Sequence, residues 1–322
     1  MKDFLSIGEI LLDCVPITVP QETRPLYQMN PGGAPANVAC VMAKLGRNAG
    51  FIGRVGNDTF GSECIAALDE CGVDTRLMLT AEKDPTTLAF VCLDNTGNRS
   101  FSFYRSGSAD VGMSREHLEQ IVFPQSRIFH FGSVSLTEQP SRDATLYAVE
   151  RAKASGSVIS YDPNYRAPLW VDSKEAAHEI LRAAALADLI KLSEEEGEFL
   201  FGENDPERIC RIVEKKCSPA MVVVTRAAHG CVCSVQGRLS HASAYNVRTI
   251  DTTGAGDCFL GGLLHCLLQF GKAPEQLTVE EIGYMLRFSN ATGSLATSKK
   301  GAIPAIPSLE EIEACMRECA TL

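Results

Sequence analysis

Short apolar runs alternate with stretches of helical period along nearly the whole chain, and glycines punctuate the joins. The runs at 4–12, 51–55, 128–131, 158–161, 187–192 and 221–224 predict strands. Between them, apolar residues recurring every three or four positions predict helices over 35–45, 61–71, 141–154 and near 206–216. Gly46, Gly72 and Gly156 stop the first three. Such alternation predicts βαβ units, and hence an α/β fold of three layers, α/β/α, around a mainly parallel central sheet. Two segments break the rhythm. Residues 14–29 carry Pro16, Pro20 and Pro25 and no helical period, while 88–104 alternates in steps of two around Asp94-Asn95-Thr96-Gly97-Asn98, a hairpin signal. Together they predict a small antiparallel β lid, formed by about 14–31 and 86–112, inserted in one domain spanning 1–322. In a parallel sheet the ligand site lies at the carboxyl ends of the strands, so the loops that follow strands carry the interest.

Composition narrows the partners. A chain of 322 residues, 45% hydrophobic, buries one large core. Its net charge of -10 argues against nucleic acid and anionic membranes. A phosphate site in such a chain must make its positive potential locally, from backbone amides, a few Arg or Lys and metal ions. The thirteen cysteines are scattered and odd in number. Those at 40, 64, 92, 258 and 266 have apolar flanks and read as small buried hydrophobes in a reduced compartment. Cys231 and Cys233, the close pair, lack the second pair that zinc requires, and the six histidines show no metal-ligand spacing. Lys2 and Asp3 interrupt any signal peptide, and no run approaches the ~18 apolar residues of a membrane span. The expectation is a cytoplasmic protein.

The sharpest chemical signal is Ile250-Asp251-Thr252-Thr253-Gly254-Ala255-Gly256-Asp257-Cys258-Phe259, followed by the apolar stretch 260–270. Glycines either side of Ala255 let successive amides point at one spot, at the positive end of a helix. That is a cradle for phosphate oxygens. A carboxylate beside it repels a resting phosphate, so Asp257 reads as a base for an attacking hydroxyl. The plainer alternative is tight helix packing with Asp257 as a cap.

DTTGAGDCF resembles the C-terminal signature of the ribokinase-like (PfkB) carbohydrate kinases, and the other landmarks of that family follow in order along the chain. The resemblance implies a ribokinase-like fold, with Asp257 as catalytic base and Gly254, Ala255 and Gly256 as its anion cradle. Asp13 and the motif Pro31-Gly32-Gly33-Ala34-Pro35-Ala36-Asn37 match the sugar-binding landmarks, which implies roles for Asp13, Gly32, Gly33 and Asn37. Without the family, that motif is equally a turn followed by a helix cap. Residues 225–230 match the nucleotide loop, implicating Thr225, Ala227 and Gly230, with Ala227 standing where glycine is usual. Lys191-Leu192-Ser193-Glu194-Glu195-Glu196 corresponds to the family's N-x-x-E segment. Ser193 replaces its asparagine and Glu196 is the acid that supports Mg²⁺ through water, while Glu194 and Glu195 suit a solvated helix start. Asn290 falls at the nucleotide base. Asp251 and Thr253, with the backbone at Ala296, Lys299 and Gly301, correspond to a monovalent cation site for K⁺.

Two stretches bear on the sugar. Phe103-Tyr104-Arg105 and Tyr161-Asp162-Pro163-Asn164-Tyr165-Arg166 resemble the fructokinase and 2-keto-3-deoxygluconate kinase branch. Arg105 and Arg166 are able to clamp a sugar acid, to serve the transferring phosphate, or to pair a structural carboxylate such as Asp162. Phe103 stands where the sugar-acid enzymes tend to have tyrosine, which favours fructose. The implied reaction is transfer of the ATP γ-phosphoryl to a primary hydroxyl, O6 of fructose. The alternatives are the ketodeoxygluconate reaction and a non-catalytic sugar or nucleotide sensor. A dinucleotide-dependent oxidoreductase needs a glycine fingerprint that Gly8-Glu9-Ile10-Leu11-Leu12-Asp13 lacks. An apolar lid face suggests a homodimer built lid to lid.

Overall fold

The apolar runs collect into two sheets. The computed structural model describes all residues except 18, 20–23, 25 and 94–98, with the side chains of 92, 93 and 99–101 also outside the description. Its strands are β1 Lys2–Ile7, β2 Leu11–Ile17, β3 Leu26–Gly32, β4 Ala49–Gly56, β5 Met78–Ala81, β6 Leu88–Leu93 and β7 Arg99–Tyr104. They continue with β8 Ser126–Phe131, β9 Val158–Tyr161, β10 Leu189–Ser193, β11 Met221–Thr225, β12 Cys231–Val235 and β13 Arg238–Ala242. The larger sheet runs β13-β12-β11-β10-β9-β8-β1-β4-β5. It is parallel from β11 to β5, and the hairpin β12–β13 closes one edge antiparallel. Central strands are apolar on both sides because both faces are covered: Phe4, Leu5, Ile7, Ile128, Phe129 and Phe131 are all buried. One core packs the helices Ala34–Lys44, Ala255–Phe270 and Val279–Ala296 on one face. The other packs Ser141–Ala154, Ser173–Ala184 and Pro206–Cys217 on the opposite face. The three layers are those expected.

The second sheet is the lid, in the order β3-β2-β6-β7. Its two hairpins are antiparallel, and β2 joins them by pairing parallel to β6. The turn expected at 94–98 lies outside the described residues. One strand was expected over 4–12, and there are two. The chain leaves the core sheet after β1 and enters the lid as β2, bending at Gly8, whose φ of 154° favours glycine. A Cβ there would sit 2.6 Å from Pro35 Cγ. Asp13 is therefore carried by a lid strand, not by the loop after the first core strand.

Arg105 departs from its expected place at the sugar. Each of its three nitrogens is engaged: Nε donates to Asp110 Oδ2 (2.7 Å), Nη1 to Thr137 Oγ1 (2.6 Å) and Nη2 to the Val134 carbonyl (3.1 Å). Asp110 in turn accepts from Thr87 and Ser108 (2.6 Å each). Burial works against the Asp110 charge, yet the guanidinium and hydroxyls outweigh it and hold the carboxyl below its ordinary range. The group ties the end of β7 to the turn after β8. Every cysteine whose side chain is described is free, and all of these but Cys217 and Cys319 are buried; among the described residues no helix is long and apolar enough to cross a membrane.

Breaking this pair should show in stability first. Arg105→Met leaves Asp110 buried without its cation and should lower the unfolding free energy by about 3–5 kcal/mol in denaturant titration. Adding Asp110→Leu should recover most of that loss. A single variant as stable as the parent would return Arg105 to the sugar.

Candidate active site

The helix Ala255–Phe270 begins at Gly254, whose φ of 75° and closeness to Ala302 (3.0 Å from an added Cβ to Cα) admit only glycine. Amides in a first helical turn have no partner four residues back, so those of Gly256 and Asp257 are left to face a ligand. The Asp257 carboxylate sits in that turn, buried. Asn37 Nδ2 donates to its Oδ2 at 2.7 Å and Asn164 Nδ2 to its Oδ1 at 3.1 Å. Burial raises its pKa most, with Asp162 adding to it; the Asn37 bond, Lys191 and Arg166 work the other way, and the net shift is upward.

Asn37 reaches this point from the helix Ala34–Lys44. Gly33, with a φ of 138°, lets the chain turn into that helix where any Cβ would collide with the Glu9 carbonyl. Glu9 Oε1 caps the start by accepting the Ala34 amide at 3.1 Å. At Gly32 an added Cβ would lie 2.9 Å from Asp13 Oδ2 and 3.9 Å from Asn37 Oδ1. Glycine thus keeps open a spot ringed by Asp13, Asn37 and Asp257. Asn37 Oδ1 is buried there without a hydrogen-bond partner, an acceptor suited to a sugar hydroxyl. Burial pushes the Asp13 carboxyl up to about 6 against the pull of Arg166. Phe103 is half-buried on β7, and Arg166 is half-buried after β9, donating to the carbonyls of Asn164 (3.2 Å) and Tyr165 (3.1 Å).

On the other side of Asp257 lies a cleft of about 470 Å³. Its walls include Ser193, Thr225, Ala227, Gly230, Gly256 and Asn290, so the residues expected to hold a nucleotide share one space except Gly254, which stands just outside it at the helix start. Ala227 has a φ of 44°, which explains why glycine suits this position and marks the alanine as strained by about 1–2 kcal/mol. The Asn290 amide donates to the carbonyls of Ala242 (3.0 Å) and Ser243 (3.1 Å), which fixes the wall rather than leaving those protons for a base.

Ser193 caps the helix Glu194–Phe201 in a reciprocal box with Glu196. The Glu196 carboxylate accepts the amides of Ser193 and Tyr165, each at 2.8 Å. Burial and then Asp162 raise its pKa. Asp251 gathers the loops on the far side: Oδ1 accepts from the Thr253 amide (3.1 Å) and hydroxyl (2.7 Å), Oδ2 from the Gly301 amide (3.0 Å). Ala296 ends its helix, buried, beside this junction, while the Lys299 side chain turns away to Glu311. Among the described residues no cluster of three His, Cys, Asp or Glu is placed to hold a metal. Sequence reasoning missed Asn164 as a partner of the base, and it missed the buried pair Lys191–Asp162 (2.6 Å). A lysine inside the apolar strand Leu189–Ser193 was the available signal.

A buried carboxylate at a helix N-terminus, between a polar spot and a cleft of about 470 Å³, fits a phosphotransferase with a small polyhydroxy acceptor. The pfkB family carbohydrate kinase model matches residues 1–309, and the chain belongs to this family. It is 40% identical over 313 residues to fructokinase-1 of Oryza sativa subsp. japonica, covering 96% of this chain and 95% of that one. The fructokinase of Xylella fastidiosa with bound ATP superposes with a TM-score of 0.90 at 32% identity, covering 99% of both chains. A fructokinase double mutant from Vibrio cholerae O395, bound to fructose, ADP and potassium ion, gives 0.87 at 34% identity and 98% coverage of both.

Replacing the base while keeping its shape separates catalysis from capping. Asp257→Asn should cost on the order of 10²–10⁴ in turnover, the worth of a positioned base. ATP affinity, measured by calorimetry, should stay near the parent value because the amide cradle is untouched. Turnover close to the parent would make Asp257 a helix cap.

Proposed function

We propose that this chain transfers the γ-phosphoryl of ATP to O6 of fructose. The observation that carries the proposal is the Asp257 carboxylate, held by Asn37 and Asn164 where the sugar spot meets the amide cradle. The names of the relatives support fructose, as do the ligands of the two solved structures, fructose and ADP in one and ATP in the other. Asp13 and Asn37 bind and orient the sugar hydroxyls, and Asp257 takes the proton of the attacking one. The amides of Gly256 and Asp257 face the charge that develops on the transferred group. The lid, continuous with the core through β2, excludes water from the transfer. The sugar-acid reading needs two arginines at a carboxylate, and the Arg105 guanidinium is already enclosed by Asp110, Thr137 and Val134. An intact base beside an intact cradle counts against a sensor.

The residues fit two cations. Glu196 keeps a carboxylate near the cradle with one amide on each oxygen, which suits a water-mediated hold on Mg²⁺. The metal, when bound, neutralises charge on the phosphate oxygens. Asp251 and Thr253 meet the Gly301 loop, and with the backbone at Ala296, Lys299 and Gly301 these are the residues that would hold K⁺. The outer lid places Tyr27 and Tyr104 edge-on to Phe90, at 5.3 and 5.4 Å between centroids, with Tyr104 67% exposed. That surface suits a homodimer formed lid to lid.

A panel of fructose, ribose, adenosine, tagatose and 2-keto-3-deoxygluconate with ATP and Mg²⁺ ranks the acceptors by kcat/KM. Fructose should lead, because a buried polar group left unpaired by the wrong sugar costs about 1–3 kcal/mol. Rates in K⁺ should exceed those in Na⁺ or tetramethylammonium at fixed ionic strength. A lead for the sugar acid would overturn fructose, and indifference to the cation would remove K⁺. Sedimentation should show a dimer that Tyr104→Glu shifts toward monomer; a parent that sediments as a monomer ends that proposal.

A further inference from the structure

Lys191 lies on β10 with its side chain buried, and among the described residues its ammonium makes one hydrogen bond, to Asp162 Oδ2 at 2.6 Å. An ammonium carries three donors, so two remain. Nζ stands against the anion cradle: a Cβ added to Gly256 would lie 3.2 Å from it. The same side chain lines the nucleotide cleft and a second cavity of about 410 Å³ shared with Asn164, Arg166 and Glu196, so the ammonium stands where the two spaces meet. Burial pulls the lysine toward neutrality, but the carboxylates of Asp162, Glu196 and Asp257 outweigh it and hold the charge. In a chain of net charge -10, a fixed buried cation at this junction has a plain use for an anionic group.

The geometry points to Lys191 as a further catalytic residue, its ammonium donating to the γ-phosphoryl of the bound nucleotide while Asp162 holds it in place. This rests on the phosphoryl-transfer reading of the site but not on the identity of the sugar. Asp162 keeps its other oxygen on the Asn164 amide at 3.2 Å, so the anchor also ties the ammonium to the loop that carries a partner of the base. Glycine at 256 leaves the ammonium its room beside the amides.

The test is calorimetric binding of ATP and of ADP, without sugar, to the parent and to Lys191→Met. A contact to the γ-phosphoryl should weaken ATP by roughly ten- to a hundred-fold while ADP changes little, as expected for a charge-assisted hydrogen bond. Turnover should fall about 10²–10³-fold, with the KM for sugar within a few-fold of the parent. Because the single variant strands Asp162, Lys191→Met combined with Asp162→Asn supplies a neutral pair that leaves no unpaired charge in the site. It should show the same selective loss of ATP affinity, with thermal melting reporting an intact fold. Equal weakening of ATP and ADP, or unchanged ATP affinity in the folded double variant, would overturn the assignment. A parent that binds ATP but prefers another sugar would instead count against fructose and leave Lys191 standing.

Discussion

A carboxylate buried at the start of the helix Ala255–Phe270 must be surrounded by donors or give up its charge. Two distant stretches of chain converge on Asp257 to meet that demand. Asn37 comes from the first turn of one helix and Asn164 from the loop after β9, while the helix N-terminus supplies the favourable end of its own dipole. Much of the surrounding backbone follows from this convergence. Gly33 and Gly254 turn the chain into the two helices where no side chain fits, and Glu9 caps the helix that presents Asn37. The same crowding of acids explains why a lysine is buried nearby. Asp162 lies close enough to Glu196 and Asp257 to raise the proton affinity of both, and Lys191 sits among them.

The sugar spot is assembled from two bodies. Asp13 travels with the lid, since β2 is a lid strand, whereas Asn37 and Asp257 belong to helices packed on the core sheet. Gly8 is the bend where one body becomes the other. The lid is fastened a second time at this same end, because Tyr104 stands level with Leu88 and Leu12: the buried Arg105–Asp110 pair ties it to the turn after β8. Both ties, a bend in the chain at Gly8 and a polar clasp at Arg105, therefore lie on the core side of the lid sheet.

Most of the architecture was legible from period and punctuation. The expected helix 141–154 and strand 158–161 match their observed bounds, because apolar spacing and a stopping glycine both mark them. The expected strand 4–12 merged two because its apolar run continues through a bend that only Gly8 announces. Glycine-rich site motifs were readable because backbone chemistry demands those residues locally. What sequence hid were pairings across the fold. Arg105 looked available for a ligand, but its acid stands five residues on and reaches it only once the lid closes its return turn. Asn164 and Lys191 owe their roles to neighbours 93 and 29 residues away, which no local pattern encodes.

Three carboxyls in and beside the sugar site share a property that reaches beyond chemistry. Burial pushes Glu9 up to about 7 and Asp13 up to about 6, and Asp257 also rises, whereas in an unfolded chain such groups ionise near about 4. Between those limits the folded state binds more protons than the unfolded one, so these groups make the molecule take up protons as it folds. Their contribution to stability is then greatest on the acid side and declines as pH rises through 6 to 7. The proposed base, Asp257, must be ionised to accept a proton, which is the opposite protonation state. For Asp257 the protonation state that favours the fold and the one that serves proton transfer therefore differ.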